Sequence, residues 1–208
     1  MDQEIEVKFY LADLPRFRQN LILAGASQTH PRVLETNLRF DTPGMDLSKK
    51  SQVLRLRQDQ EAHLTFKGPG ELVDGALTRQ EIEFEVSDFQ TARRFLERLG
   101  YRVFMTYEKV RENFTLQDVQ VSIDDMPYGY FAELEGQSAR QIQAVADSLS
   151  LDWSRRINTS YLDLFQRLKE RMGLKFDDLS FDTFRDLAIS PEDLDVIAGD
   201  GSPNRKGK

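Results

Sequence analysis

The sequence predicts an α+β protein built on a closed antiparallel β-barrel, with a charged lumen and helices packed outside. Three observations predict it. Strand-length segments recur that split cleanly into a charged face and an apolar face. Amphipathic helices fall between them. The charged faces hold more ionised groups than solvent exposure requires, so they are expected to meet around a common cavity.

Glu4-Ile5-Glu6-Val7-Lys8-Phe9 opens the series, with Glu4, Glu6 and Lys8 on one face and Ile5, Val7 and Phe9 on the other. A first helix is expected from an Asp13 N-cap with Pro15 in its first turn, carrying Leu14, Phe17, Leu21 and Ala24 to a stop at Gly25. Val53–Arg57 sets Arg55 and Arg57 against Leu54 and Leu56, and His63–Lys67 splits the same way. Residues 79–86 oppose Arg79, Glu81, Glu83 and Glu85 to Ile82, Phe84 and Val86. Asp88 starts a second helix (Phe89, Ala92, Phe95, Leu96, Leu99) that stops at Gly100. Lys109, Arg111 and Asn113 share the next polar face; Glu112 breaks the apolar side and is expected at the surface or against a helix. Val119–Asp124 and Phe131–Glu135 complete seven strand-like segments. Ser138 caps a third helix (Ile142, Val145, Leu149), and Thr159 or Ser160 a fourth (Tyr161, Leu164, Phe165, Leu168, Met172). An antiparallel sheet closed on itself satisfies both faces, with helices over the apolar outside and charges inside.

The lumen would then carry the bases Lys8, Arg55, Arg57, Lys67, Arg79, Lys109 and Arg111, and the acids Glu4, Glu6, Glu81, Glu83, Glu85, Asp124, Glu133 and Glu135. Burying unpaired charge costs several kcal/mol per group, so a charged ligand is expected there. Lysine and arginine suit phosphate oxygens, arginine as a bidentate fork. Carboxylates bind Mg²⁺ or Mn²⁺, which bridge to phosphate. A polyphosphate with a divalent metal answers both sets.

The same residues carry a resemblance. Glu4-x-Glu6-x-Lys8 resembles the E-x-E-x-K signature of the CYTH superfamily, the triphosphate tunnel metalloenzymes, which includes class IV adenylyl cyclases, thiamine triphosphatases and inorganic triphosphatases. The match continues in order through Asn37-Leu38-Arg39-Phe40-Asp41-Thr42-Pro43, Leu54–Arg57, Thr65–Pro69, Arg79-x-Glu81-x-Glu83, Glu108-Lys109-x-Arg111, Ile123-Asp124, Phe131–Glu135 and Ser160-Tyr161. The resemblance implies a triphosphate gripped by Lys8, Arg55, Arg57, Lys67, Lys109 and Arg111, with Arg79 among the binding bases. It also implies metals held by Glu4, Glu6, Asp124, Glu133 and Glu135, with Glu81 and Glu83 helping. Lys8, Arg55, Lys67, Lys109 and Arg111 are the expected catalytic set. A metal-activated water attacking the terminal phosphorus would give hydrolysis; the ribose 3′-hydroxyl attacking the α-phosphorus would give cyclic AMP and pyrophosphate. Hydrolysis asks less of the site and is the reading preferred, with a class IV cyclase next and a non-catalytic polyphosphate or nucleotide sensor last.

Single residues have blander readings. Arg57 or Glu85 could sit at the tunnel mouth, and His63 could be a polar filler on the Lys67 face. His30 falls in an expected loop. Asp125 points away from Asp124, and Tyr161 either closes one tunnel end or is a core aromatic.

With 208 residues and no cysteine, the chain reads as one tunnel domain, 1–172, with a cytoplasmic address and no disulfides. The net charge of −7 argues against nucleic acid, and no apolar run suits a membrane. Residues 177–200 hold eight acids and one base, leaving the rest formally neutral. That stretch is expected as an acidic helical appendix, 173–198, with Phe181, Phe184 and Leu187 on one helical face, packed on the barrel or serving as a lid or dimer contact. Residues 199–208 read as a disordered tail. The partner expected is a triphosphate-containing small molecule, with a second copy of the chain in a homodimer as the candidate macromolecular partner.

Overall fold

The computed structural model describes residues 3–201. Nine strands and four α-helices follow in the order β1 (Gln3–Leu11), α1 (Leu14–Leu23), β2 (Ser27–Asp41), β3 (Val53–Gln58), β4 (Ala62–Lys67), β5 (Glu71–Val73), β6 (Ala76–Val86), α2 (Phe89–Arg98), β7 (Arg102–Leu116), β8 (Val119–Met126), β9 (Gly129–Glu135), α3 (Ala139–Ser148) and α4 (Tyr161–Met172). The sheet order is β1-β9-β8-β7-β2-β3-β4-β6, and β6 pairs back onto β1, so the ring closes. β5 is a short hairpin arm on β6.

Two strands exceed the seven expected from the sequence. β5 is three residues long. β2 hides its period because its first half is exposed and interrupted around Pro31, where the register against β7 shifts between Gln28 and His30 and again before Val33. His30, expected in a loop, therefore sits in an irregular stretch of strand opposite Asn113.

The helix starts follow local chemistry. The Asp13 carboxylate accepts from the Arg16 amide at 3.0 Å, and that of Asp88 from the Thr91 amide at 2.6 Å. Ser160 rather than Thr159 caps α4, in a reciprocal box with Asp163. α1 and α3 cover the outer faces of β1, β8 and β9 through Phe17, Leu21, Ile142 and Val145. α2 covers Leu38, Phe40 and Leu56. α4 instead packs Tyr161, Leu164 and Phe165 on Tyr10, Tyr107 and Phe131, which occupy the same strand faces as the charges, and so closes one end of the barrel. No helix among the described residues is long and apolar enough to cross a membrane.

The helical appendix is corrected. Residues 174–198 form no α-helix; they run as a strap of turns with a single 3-10 turn at Pro191–Leu194. An isolated short helix is marginal in water, and the strap finds better partners on the barrel. Leu179 exchanges backbone hydrogen bonds with β7 (Glu108 N to Leu179 O, 2.8 Å; Leu179 N to Thr106 O, 2.9 Å), and Ala198 bridges to Tyr10 on β1. Leu179, Phe184 and Leu194 are fully buried beneath it. The boundary expected at 199 also moves. Buried Asp200 accepts from the amides of Ala12 (2.8 Å) and Asp13 (2.7 Å), and a Cβ at Gly199 would lie 2.8 Å from the Phe9 ring, so only glycine fits that crossing. Residues 202–208 of the expected tail lie outside the described residues.

Candidate active site

Register decides what meets inside the ring. Residues directly opposite on neighbouring strands point to the same side, and the pairs Glu4↔Arg79, Lys67↔Glu81, Thr65↔Glu83, Lys8↔Glu133, Glu6↔Glu135 and Arg111↔Asp124 carry the charged faces around one lumen. The expected bases and acids share these strand faces, and of them Glu85 is exposed at the edge rather than enclosed.

The lining is an interlocked ion lattice. Lys8 Nζ lies 2.7 Å from Glu6 and 3.2 Å from Glu133. Lys67 Nζ lies 2.7 Å from Glu4 and 3.1 Å from Glu81, while Arg79 reaches Glu4 at 2.7 Å and Glu6 at 3.1 Å. Arg111 forks onto Asp124 through two 2.6 Å bonds and also donates to Glu133 at 2.7 Å. Lys109 Nζ sits 3.4 Å from Asp124 and 3.5 Å from Glu35. Glu83 accepts from Arg55 (3.1 Å), Arg57 (3.3 Å) and the Thr65 hydroxyl (2.6 Å). Glu135 makes no ion pair among the described residues. Glu85 is exposed opposite His63, at the mouth.

These contacts push the titrations apart. Burial works against ionisation of Glu4, yet Lys67 and Arg79 hold its carboxyl at about 2. Burial likewise opposes Asp124 and Glu133, and Arg111 draws Asp124 below the ordinary range while Lys8 and Arg111 draw Glu133 well below it. Glu81 and Glu135 go the other way, both to about 7. Burial lifts each one, with repulsion from Glu4 added in both and partial relief from Lys67.

Several lining groups were not expected from the sequence. Glu35, buried beside Lys109, lies on the strand whose period was obscured. Asn37 and Arg39 share its face; they stood within the Asn37–Pro43 motif, and period-2 alternation through Glu35, Asn37, Arg39 and Asp41 is the signal that could have found them. The Tyr107 hydroxyl accepts from Arg55 at 3.3 Å. Tyr161 both closes the tunnel end and packs in the core, and its hydroxyl donates to Asp124 at 2.7 Å. Glu112 lies outside the ring, ion-paired to Arg18 of α1.

Chemically, the lattice can exchange partners. Its donors for a cation are all hard carboxylate oxygens, the set that suits Mg²⁺ or Mn²⁺. The crowding that lifts Glu81 and Glu135 marks where positive charge is short. Among the described residues no three such groups stand together as a ready cation cage, because lysines and arginines occupy the carboxylates. The donor set fits a divalent metal once those bases turn to an anion.

A model of the CYTH domain family matches residues 2–168. The chain belongs to the CYTH family. Its curated relative from Methanocaldococcus jannaschii, named "Putative adenylate cyclase", is 26% identical over 172 residues, 77% of this chain and 97% of the relative. The fold of this CYTH domain matches a Vibrio parahaemolyticus protein described in the same words, with a TM-score of 0.70, 20% identity and coverage of 78% of this chain and 97% of that one. It also matches a Hippeastrum protein described as a "putative adenylyl cyclase" with a dominant triphosphatase activity, with a TM-score of 0.59, 17% identity and coverage of 78% of this chain and 95% of that one. The strap lies beyond the part of the chain that the family model covers.

The shifted carboxyls give a pH prediction with a definite sign. Between the ordinary 4.5 and about 7 the folded state keeps protons on Glu81 and Glu135 that the unfolded chain has released, so their contribution to stability falls as pH rises through that window. Glu4 acts oppositely, stabilising above 4.5 and losing this as pH falls toward about 2. A divalent cation held by Glu81 and Glu135 would compete with their protons. Calorimetry in buffers of different ionisation enthalpy is therefore expected to show Mg²⁺ or Mn²⁺ binding that tightens from pH 6 to 8 and releases protons at the lower end. Affinity independent of pH would remove these two carboxyls from the cation site.

Proposed function

We propose that this CYTH domain binds a triphosphate together with Mg²⁺ or Mn²⁺ in its tunnel and hydrolyses the terminal phosphoryl group. The observation that carries the reading is the ion lattice, in which Lys8, Lys67, Arg55, Arg79, Lys109 and Arg111 are each neutralised by carboxylates on the same lining. Phosphoryl oxygens compete for these bases and set the carboxylates free. Glu4, Glu6, Glu81, Glu83, Asp124, Glu133 and Glu135 are then the residues to hold the cation. When bound, it supplies charge neutralisation and activates water. Anion and cation should thus bind better together than apart.

The chain's own bases do the rest. Lys8, Lys67, Arg55, Lys109 and Arg111 converge from four strands and fix the phosphoryl chain. As a water oxygen bonds to the terminal phosphorus, the bridging P–O bond breaks, its electron pair goes to the departing diphosphate and the water's protons stay with the released phosphates, while these cations meet the growing charge. The lattice lining is ionic or polar, and the apolar rings of Tyr10, Phe131 and Tyr161 are packed on one another at the closed end. This suits a compact inorganic triphosphate.

A cyclase is the second reading, favoured by the name of the Methanocaldococcus relative. Chromatographic product analysis separates them. Incubation with inorganic triphosphate and with ATP, with and without chelator, is expected to give metal-dependent orthophosphate, chiefly from inorganic triphosphate. Cyclic AMP plus pyrophosphate from ATP would replace the hydrolase reading with the cyclase, and tight binding without turnover would leave a sensor.

A further inference from the structure

Arg39 is the exception in the lattice. It lies on the lumen face of β2 between Arg55 of β3 and Met105 of β7 in register. Among the described residues no carboxylate lies within ion-pairing distance of it, although Lys8, Arg55, Arg57, Lys67, Arg79, Lys109 and Arg111 each have one. Its Nε is buried with no hydrogen-bond partner, and its guanidinium is only set over the Phe104 ring, 5.8 Å from the centroid. Burial draws its pKa down; Tyr107 and, more weakly, Asp41 oppose this, and Arg55 and Arg79 add repulsion.

Asn37, two residues away on the same face, is fully buried, and neither its Nδ2 nor its Oδ1 has a partner. It stands between Tyr107 and Arg57 in register. A buried amide with both ends unsatisfied, beside a half-buried guanidinium whose buried Nε is unpartnered and which no carboxylate pairs, costs the ligand-free fold stability. Such groups persist where a ligand completes them.

We propose that Arg39 and Asn37 form a further anion subsite on the β2 wall, which takes phosphoryl oxygens of the triphosphate. The inference rests on the triphosphate reading of the tunnel and adds to it the specific wall that holds the anion without first displacing a carboxylate. Arg39 donates its fork to phosphoryl oxygens, and Asn37 Nδ2 donates beside it, leaving Oδ1 to a water that travels with the anion. Because no ion pair has to break, this wall is where the anion first docks, before it draws the other bases off their carboxylates.

The test compares the wild type with Arg39→Gln by calorimetry with inorganic triphosphate in chelator, and by thermal unfolding of the ligand-free protein. Arg98→Gln, an exposed position on α2, is the charge control. Arg39→Gln is expected to weaken triphosphate binding about tenfold or more, about 1.4 kcal/mol, while its ligand-free melting temperature stays level or rises, because an uncompensated charge has been removed. Arg39→Lys, which keeps the charge and loses the fork, should fall between. Binding by Arg39→Gln within twofold of wild type, or a loss no greater than in Arg98→Gln, overturns the subsite. A ligand-free Arg39→Gln that melts lower or fails to fold also overturns it, since Arg39 would then be compensated in the fold. If wild type itself does not bind triphosphate, the tunnel reading fails instead.

Discussion

Glu4→Gln is expected to reduce metal-dependent turnover of inorganic triphosphate by about a hundredfold or more. Glu4 is buried at the junction of β1 and β6, with one oxygen on Lys67 and the other on Arg79, and it is the neighbour whose charge helps to lift both Glu81 and Glu135. Removing its charge takes one carboxylate from the cation side and leaves two bases short of a counter-ion. The ligand-free protein should therefore lose about 3 kcal/mol of stability, as when one partner of a buried ion pair is deleted. Triphosphate, gripped by the released Lys67 and Arg79, should bind at least as tightly as to wild type in chelator and should restore much of the melting temperature. Steady-state kinetics with Mg²⁺ and thermal unfolding with and without triphosphate check all three effects. Full turnover in the variant would remove Glu4 from the cation site.

Ending the chain after Met172 is expected to lower unfolding free energy by about 5 kcal/mol or more, a large share of what a domain of this size has. The deletion removes Leu179, Phe184 and Leu194, each buried against the α4 cluster, together with the aromatic contacts of Phe184 to Tyr128 and Phe165. It also strips Asp200 from the amides of Ala12 and Asp13. The loosened α4 would no longer fix Tyr161 on Asp124, so turnover should fall with stability. Urea unfolding of the shortened chain reads the first effect. A midpoint and turnover equal to those of the full chain would make the strap dispensable, which the burial of three large apolar side chains argues against.

Much of the barrel was legible in the sequence because period-2 alternation is a local property. Glu4, Glu6 and Lys8 must share a face wherever β1 goes, and so must Arg79, Glu81 and Glu83 on β6. The caps at Asp13, Asp88 and Ser138 were legible for the same reason, since the side chain and the amide it serves are a few residues apart. β2 was not, because Pro31 and the two register shifts break the alternation that its second half keeps. The strap misled in another way. Phe181, Phe184 and Leu187 have helical spacing, but nearby Leu179 pairs its backbone with β7, and Phe184 and Leu187 pack in the cluster under α4, both far away along the chain.

What the sequence by itself determined is therefore the inventory: which side chains are charged, which strand face carries each, and that acids and bases are matched closely enough to need one enclosed site. Only the tertiary structure decided who pairs with whom. Closure of β6 onto β1 is what sets Arg79 and Lys67 on Glu4, and docking of α4 is what brings the Tyr161 hydroxyl to Asp124. It also decided that Arg39 alone among the lumen bases is left without an acid among the described residues. The physical reason is range. Alternation and capping act over two to four residues, whereas an ion pair across a lumen depends on strand register and ring closure, which no short segment contains.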